Sequence, residues 1–250
     1  MKVKITSQEI AQMVDYAILK PQLTKDELTS LMDLALEYGA GTIFVRPSDT
    51  PYAKEYLKDK NVRLASVVGF PHGTTLTSAK VAETKEMLEI GCDELDMVLN
   101  ISQLKSGDYD AVYEDIKAVN DLIHKSGKIS KVILETCFLA DDEIIKACEI
   151  CTKAKVDFTK TSTGFGSNGA TIHALKIMRA NTPDNMGVKA SGGIRTLEHA
   201  LSAISVGVSR LGTSAIKEIV EKARKIENEN PDNLYYETDT SNINELGDGY

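Results

Sequence analysis

The stretch VDFTKTSTGFGSNG, Val156 to Gly169, sets a lysine inside what reads as a short strand bounded by turn residues. Lys160 is flanked by Thr159, Thr161, Ser162 and Thr163 rather than by other charges. A buried lysine is rare unless it is paired or put to use. Two readings follow: an amine sunk in an ion pair, or an amine held neutral so that it can attack a carbonyl. The same stretch carries Gly164-Phe165-Gly166-Ser167-Asn168-Gly169, a match to the dinucleotide pattern G-x-G-x-x-G. It lies in the second half of the chain rather than in a first βα unit, which argues against a nicotinamide or flavin site.

Outward from Lys160, strand-like and helix-like segments alternate in both directions. Toward the N-terminus the expected strands are Lys131–Glu135, Asp93–Leu99, Arg63–Phe70, Gly41–Val45 and Asp15–Leu19. The helices between them are expected over Asp141–Ala154, Tyr109–Ser126, from Thr77 or Ser78 to Gly91, from Pro51, and from the Thr24–Glu27 capping box to Tyr38. Another short helix is expected near Ser7. Toward the C-terminus come a helix over Thr171–Asn181, a strand at Gly187–Ala190, a helix from Thr196, a strand at Ser209–Gly212 and a helix over Ser214–Glu227. Eight repeats at a spacing of roughly 25–30 residues give a (β/α)8 TIM barrel, since a doubly wound sheet would use fewer strands and longer crossovers. The expected organisation is one barrel domain over 1–227, opened by a short N-terminal helix, and an acidic, mobile tail over 228–250.

Composition narrows the function classes. The 250 residues are 42% hydrophobic and carry 29 basic and 37 acidic groups, a net charge of −8. Six acids fall in the tail, which leaves 31 against the same 29 bases and no basic field for nucleic acid. No export signal or membrane span is visible, and four scattered cysteines without either suggest reduced thiols in the cytoplasm. Cys148 and Cys151 form a C-x-x-C within a predicted helix, with no second ligand pair, so packing is expected rather than zinc. The four histidines are too dispersed for a metal site.

In a barrel the chemistry lies where the strands end. Asp15, Asp96, Glu135, Lys160 and Lys189 all fall on strands or at those ends. Two lysines sharing a small cavity repel, and a cation beside Lys160 would bring its pKa from ~10.4 toward neutrality, a shift of about 4 kcal/mol. Gly192-Gly193-Ile194-Arg195 follows the seventh strand and Gly212-Thr213-Ser214 the eighth. Glycine loops opening onto helix N-termini suit a phosphate at this place in a barrel.

These residues resemble one family, the deoxyribose-phosphate aldolases. The resemblance rests on DYAILKP (Asp15–Pro21), VVGFPHG (Val67–Gly73), GCDELDMVLNI (Gly91–Ile101), KVILET (Lys131–Thr136), DFTKTSTGF (Asp157–Phe165), VKASGGIRT (Val188–Thr196) and RLGTS (Arg210–Ser214), in family order. It implies a class I aldolase that cleaves 2-deoxyribose 5-phosphate reversibly to acetaldehyde and glyceraldehyde 3-phosphate, without metal or organic cofactor. Lys160 would form the Schiff base and Lys189 perturb it. Asp96 would relay protons and Asp15 bond the lysine pair. Gly164, Gly192, Gly193, Arg195, Gly212 and Ser214 would contact phosphate. Tyr250 matches a terminal tyrosine with which similar aldolases can end. The chain departs from the family at Tyr16-Ala17, where His-Thr is usual, at Phe44 and Arg46, where Cys and Asn are usual, and at Ala215 in place of Ser. The last two strand positions suggest a bulkier, more basic mouth. The rival readings are another class I aldolase for a different phosphorylated sugar, a phosphosugar isomerase working through carboxylates, and an inactive phosphate-binding barrel. A homodimer is compatible with such a barrel, though no residue argues for it.

Overall fold

The computed structural model describes residues 2–229 and 235–237. Strands β2 (Val14–Ile18), β3 (Thr42–Val45), β4 (Arg63–Val68), β5 (Glu94–Val98), β6 (Ile129–Ile133), β7 (Phe158–Lys160), β8 (Gly187–Ser191) and β9 (Arg210–Thr213) close into one barrel, each parallel to the next. The main crossovers are helices α2 (Lys25–Tyr38), α3 (Thr50–Leu57), α4 (Thr77–Ile90), α6 (Tyr109–Lys125), α7 (Asp141–Ala154), α8 (Ile172–Ala180) and α9 (Leu197–Ser205), and α10 (Ile216–Glu229) follows the last strand. This is the (β/α)8 barrel read from the alternation.

Side chains on a strand alternate between two faces, and here the two faces differ in kind. The outward set, including Val14, Tyr16, Ile43, Leu95, Met97, Val132, Val188 and Leu211, packs against the helices in one apolar core. The inward set follows the register Asp15–Gly212, Asp96–Lys131 and Lys160–Lys189–Arg210. Register therefore carries ionic residues to one level of the lumen.

The helix boundaries follow their caps. Thr24 and Glu27 form the expected box, with each backbone N–H bonded to the other's side chain, and Gly39 stops α2 in the left-handed region at φ 79°. At α4 the expected Thr77 cap is diverted: its hydroxyl donates to Asp115 Oδ1 at 2.7 Å, and the helix starts without a side-chain cap. The carboxylate is already turned inward by Lys80, whose Nζ pairs with Asp115 Oδ2 at 2.5 Å and donates to Val98 O at 2.9 Å. Lys80 and Asp115 are 0% and 3% exposed, a buried ion pair between α4 and α6.

Besides two 3-10 turns at Pro47–Asp49 and Thr136–Phe138, three elements were not expected from the sequence. Helix α5 (Ile101–Lys105) is a single turn capped by Asn100. Strand β1 (Lys2–Lys4) precedes the expected N-terminal helix α1 (Ser7–Met13). Strand β10 (Tyr235–Glu237), inside the span assigned to the tail, pairs with β1 antiparallel, Lys2 opposite Glu237. The rest of the tail beyond Glu229, Tyr250 included, lies outside the described residues. Among the described residues no helix is long and apolar enough to cross a membrane.

Candidate active site

Lys160 closes β7 and Lys189 is its register partner on β8. Both are almost wholly buried, and both donate to one atom, Asp96 Oδ2, at 3.0 and 2.8 Å. The other oxygen, Oδ1, lies 3.0 Å from Lys131 Nζ. Lys189 also pairs with Asp15 Oδ2 at 2.6 Å, and Asp15 Oδ1 accepts from Arg210 at 2.7 Å. Glu94 closes the network below, accepting from Lys131 and, at 3.1 Å, from Arg210. Asp15 thus meets Lys189, Lys131 and Arg210, while Lys160 bonds Asp96.

Four buried cations, Lys131, Lys160, Lys189 and Arg210, and the partly exposed Arg63, which reaches Glu94 at 2.8 Å, therefore face four carboxylates, Asp15, Glu94, Asp96 and Glu135. Unbalanced buried charge is costly, and neutralising one cation restores balance. Lys160 is the one held down. Burial, followed by the Lys189 ammonium, brings its amine to about 8 against the pull of Asp96. Burial alone would raise Asp96, but Lys131, Lys189 and Lys160 hold it well below the usual carboxylate range. Asp15, which burial would also raise, is brought to about 2 by Lys189, Lys131 and Arg210. Lys131, despite burial, is pushed upward by Asp96, Asp15 and Glu94. The leading cause of the Lys160 shift is thus burial, with the second lysine adding to it.

The loops after β7, β8 and β9 build a second feature. One cleft is lined by Gly164, Gly192, Gly193, Arg195, Gly212 and Ser214, together with Thr163 and Ser191. All six residues expected to contact phosphate meet there. Gly192 and Gly193 have φ near 80°, so side chains there would be strained, and at Gly192 a Cβ would also meet Gly169 Cα at 2.8 Å. At Gly212 a Cβ would meet Ser191 Oγ at 2.4 Å. Thr163 is fixed from behind by Glu135, which accepts from its backbone N–H at 3.2 Å and from its hydroxyl. Glu135, two residues past β6, lies in the left-handed region at φ 56°, and burial raises its pKa despite the Thr163 bonds. A buried amine thus faces the lumen, with a glycine-lined cleft one loop away.

The sequence profile of the DeoC/LacD family of aldolases matches residues 9–216. The chain belongs to that family. A deoxyribose-phosphate aldolase of Thermococcus gammatolerans is 49% identical over 225 residues, covering 89% of this chain and all of the relative. The tetrameric deoxyribose phosphate aldolase of Aeropyrum pernix superposes with a TM-score of 0.83 at 29% identity, over 89% of this chain and 94% of that one. The aldolase QR15 gives 0.82 at 39% identity, over 86% and 96%.

Within this DeoC/LacD fold, the dinucleotide-like glycines serve the loop. Gly164 lines the cleft, Gly166 packs against Cys137 and Glu135, and Gly169 lies under the Gly192 backbone. Thr161 Oγ1 donates to Ser191 O and accepts from Ser191 N, both at 3.0 Å, which ties the β7 and β8 ends together. Sequence reasoning passed over Lys131, Glu94 and Arg210 as site residues, because charges near strand starts look like ordinary strand ends. The expected basic mouth does not form at Arg46. Its guanidinium turns to the carbonyls of Lys20, Pro21 and Leu23 and to Asp49, stapling the loop after β2. Phe44 lies inside the lumen, 1% exposed.

Proposed function

We propose that the chain catalyses reversible cleavage of 2-deoxyribose 5-phosphate to acetaldehyde and glyceraldehyde 3-phosphate, with Lys160 as the Schiff-base lysine. The observation that carries this reading is one buried amine that shares Asp96 Oδ2 with a second lysine, in a network with one cation more than carboxylates, a setting that lowers its pKa. The free amine adds to the aldehyde carbon of the open-chain sugar, and loss of water leaves a protonated imine. The bond between the second and third carbons then breaks as the third-carbon hydroxyl gives up its proton and becomes the new aldehyde. The electron pair remains as an enamine, which takes a proton at the second carbon, and water releases acetaldehyde and the lysine. Atoms balance with water and protons alone, so the reading calls for no cofactor.

The roles of the other residues follow. Asp96 is too weak a base to keep a proton, but its Oδ2 touches both lysine nitrogens, so it can pass protons between the carbinolamine and Lys189 and balance the iminium charge. Asp15 keeps Lys189 in place. The cleft at Gly164, Gly192, Gly193, Arg195, Gly212 and Ser214 would hold the phosphate, so remote binding positions the reacting carbon. For assembly we propose the homodimer. Light scattering of the full chain measures it, and a tetrameric mass, the state named for the Aeropyrum pernix relative, would replace it. Free cysteines at Cys92, Cys137, Cys148 and Cys151 support a reducing, cytoplasmic setting.

Borohydride added with deoxyribose 5-phosphate or acetaldehyde tests the central role. The expected result is a single adduct, mapped by peptide mass to Lys160. An adduct at Lys189, or none with turnover intact, overturns the assignment. Trapping only with some other phosphorylated sugar would keep the class and change the substrate.

A further inference from the structure

Among the charged neighbours of Lys189 stands one aromatic ring. Phe44, on β3, has its ring centroid 4.0 Å from Lys189 Nζ, 4.9 Å from Lys131 Nζ and 5.8 Å from Lys160 Nζ. With Leu19, Ala65 and Val67, and the partly buried Ala17 and Phe70, it forms an apolar cluster separate from the barrel–helix core. These residues come from β2 to β4 and the segments that follow them, across the closed barrel from β7 and β8. The lumen thus has an apolar wall opposite its two reactive lysines.

Attraction between a ring face and a cation falls off beyond about 6 Å from the centroid. At these distances the Phe44 face favours charge on Lys189 well above charge on Lys160. An aliphatic side chain of similar bulk would exclude water equally but would not discriminate between the two amines. We propose that Phe44 is a positioning residue that helps decide which of the two lysines sharing Asp96 Oδ2 keeps its proton, holding the charge on Lys189 and leaving Lys160 as the free amine. This deepens the imine reading of Lys160 and rests on it. The groups facing the two amines are Asp15 from β2, Asp96 and Glu94 from β5, Lys131 from β6, Glu135 from the loop after it, and Arg210 from β9. Asp15 biases the pair in the same direction, because it pairs with Lys189. Phe44 adds a preference that involves no carboxylate.

The test is the rate of borohydride-trapped imine formation with acetaldehyde, followed from pH 6 to 10 in the full chain. Phe44→Leu and Phe44→Met remove the ring face and keep the bulk, whereas Phe44→Tyr keeps the face. In the aliphatic variants the midpoint of the profile should rise by about half to one pH unit. Trapping at pH 7 then falls about 3- to 10-fold, while the alkaline plateau stays at the wild-type level. Phe44→Tyr should keep the wild-type midpoint. An unmoved midpoint in whichever aliphatic variant folds, or a uniform loss at every pH, would show that the ring only packs, and would overturn the proposal. Failure of wild type to trap at Lys160 would instead remove the aldolase reading itself.

Discussion

Lys80 and Lys160 are both buried lysines bonded to carboxylates, and they are built for opposite ends. Between α4 and α6, Lys80 has Asp115 to itself and the Val98 carbonyl besides, so its charge is balanced on the spot. In the lumen, Lys160 shares one oxygen of Asp96 with Lys189, and the network around it has one cation more than carboxylates. Burial is common to the two. What differs is whether the surroundings can afford the charge. A private carboxylate makes a lysine a fastener, whereas a shared one makes it a candidate nucleophile.

The same substitution at the two positions should therefore act in opposite directions. Lys160→Met should lower turnover by about 10⁴-fold or more and abolish trapping, since no imine forms without the amine. It should also stabilise the fold near neutral pH. The folded amine titrates near 8 and the unfolded one near 10.5. Between those values the unfolded chain binds more protons, so wild type gains stability as pH rises through the window. Below pH 8 the cost of burying this amine is fully present, and Lys160→Met removes it. Denaturant melts at pH 7 and pH 10 check this: the advantage of the variant should shrink at the higher pH. A destabilised Lys160→Met at pH 7 would erase the contrast with Lys80.

At the other position, Lys80→Met strands Asp115 without its cation and should destabilise the fold by ~3–5 kcal/mol. Adding Asp115→Leu should recover part of the loss, because it removes the orphaned charge. Trapping at Lys160 at 25 °C, with folded protein, should keep its wild-type pH profile. A shifted profile would mean that the α4–α6 pair also tunes the lumen.

Lys189→Leu tests the counting within the lumen. Without Lys189, the remaining Lys131, Arg210, Arg63 and Lys160 match the four carboxylates Asp15, Glu94, Asp96 and Glu135, so Lys160 becomes a cation that the site needs. Its pKa should rise, and turnover at pH 7 should fall by about 10²-fold, with partial recovery as pH approaches ~10. Burial is the larger cause of the wild-type shift and survives the substitution, so recovery should begin below the pKa of a free lysine. A profile of wild-type shape would remove Lys189 from the tuning of Lys160.

The legible parts of the molecule are those with local signals. Alternation in segments such as DELDMVL revealed strands because the barrel–helix core needs apolar residues at every second position. Lys160, Lys189, Asp96 and Asp15 stood out as charges inside such strands, and the cleft at Gly164, Gly192, Gly193 and Gly212 as glycines ahead of helices. Lys80 gave no such sign. A lysine in a helix reads as solvated, and its partner Asp115 lies 35 residues away. Strands β1 and β10 escape a local reading for the same reason, since KVK and YYE pair across more than half the chain. Arg46 was read as charge for the mouth because a sequence cannot show that three loop carbonyls already claim it.

Glu135 offers a third kind of buried charge, held by neutral donors rather than by a lysine. It accepts from the backbone and hydroxyl of Thr163, at the start of the loop that carries Gly164 into the anion cleft. A non-glycine residue at φ 56° carries strain that surrounding bonds must maintain. Glu135→Gln keeps the shape and one acceptor oxygen but loses the charge that strengthens these bonds, a difference of about 1 kcal/mol. KM for deoxyribose 5-phosphate should rise about 3- to 10-fold, with unphosphorylated deoxyribose affected far less and kcat nearly unchanged. The pH dependence separates this from general damage. Burial raises the pKa of Glu135 above the usual carboxylate value, so acid should loosen the wild-type loop by protonating it, and wild-type KM should climb as pH falls toward that value. The glutamine variant has no proton to take and should lack this climb. Equal losses on both substrates, or an acid limb unchanged in Glu135→Gln, would show that Glu135 supports the fold in general and not the anion cleft.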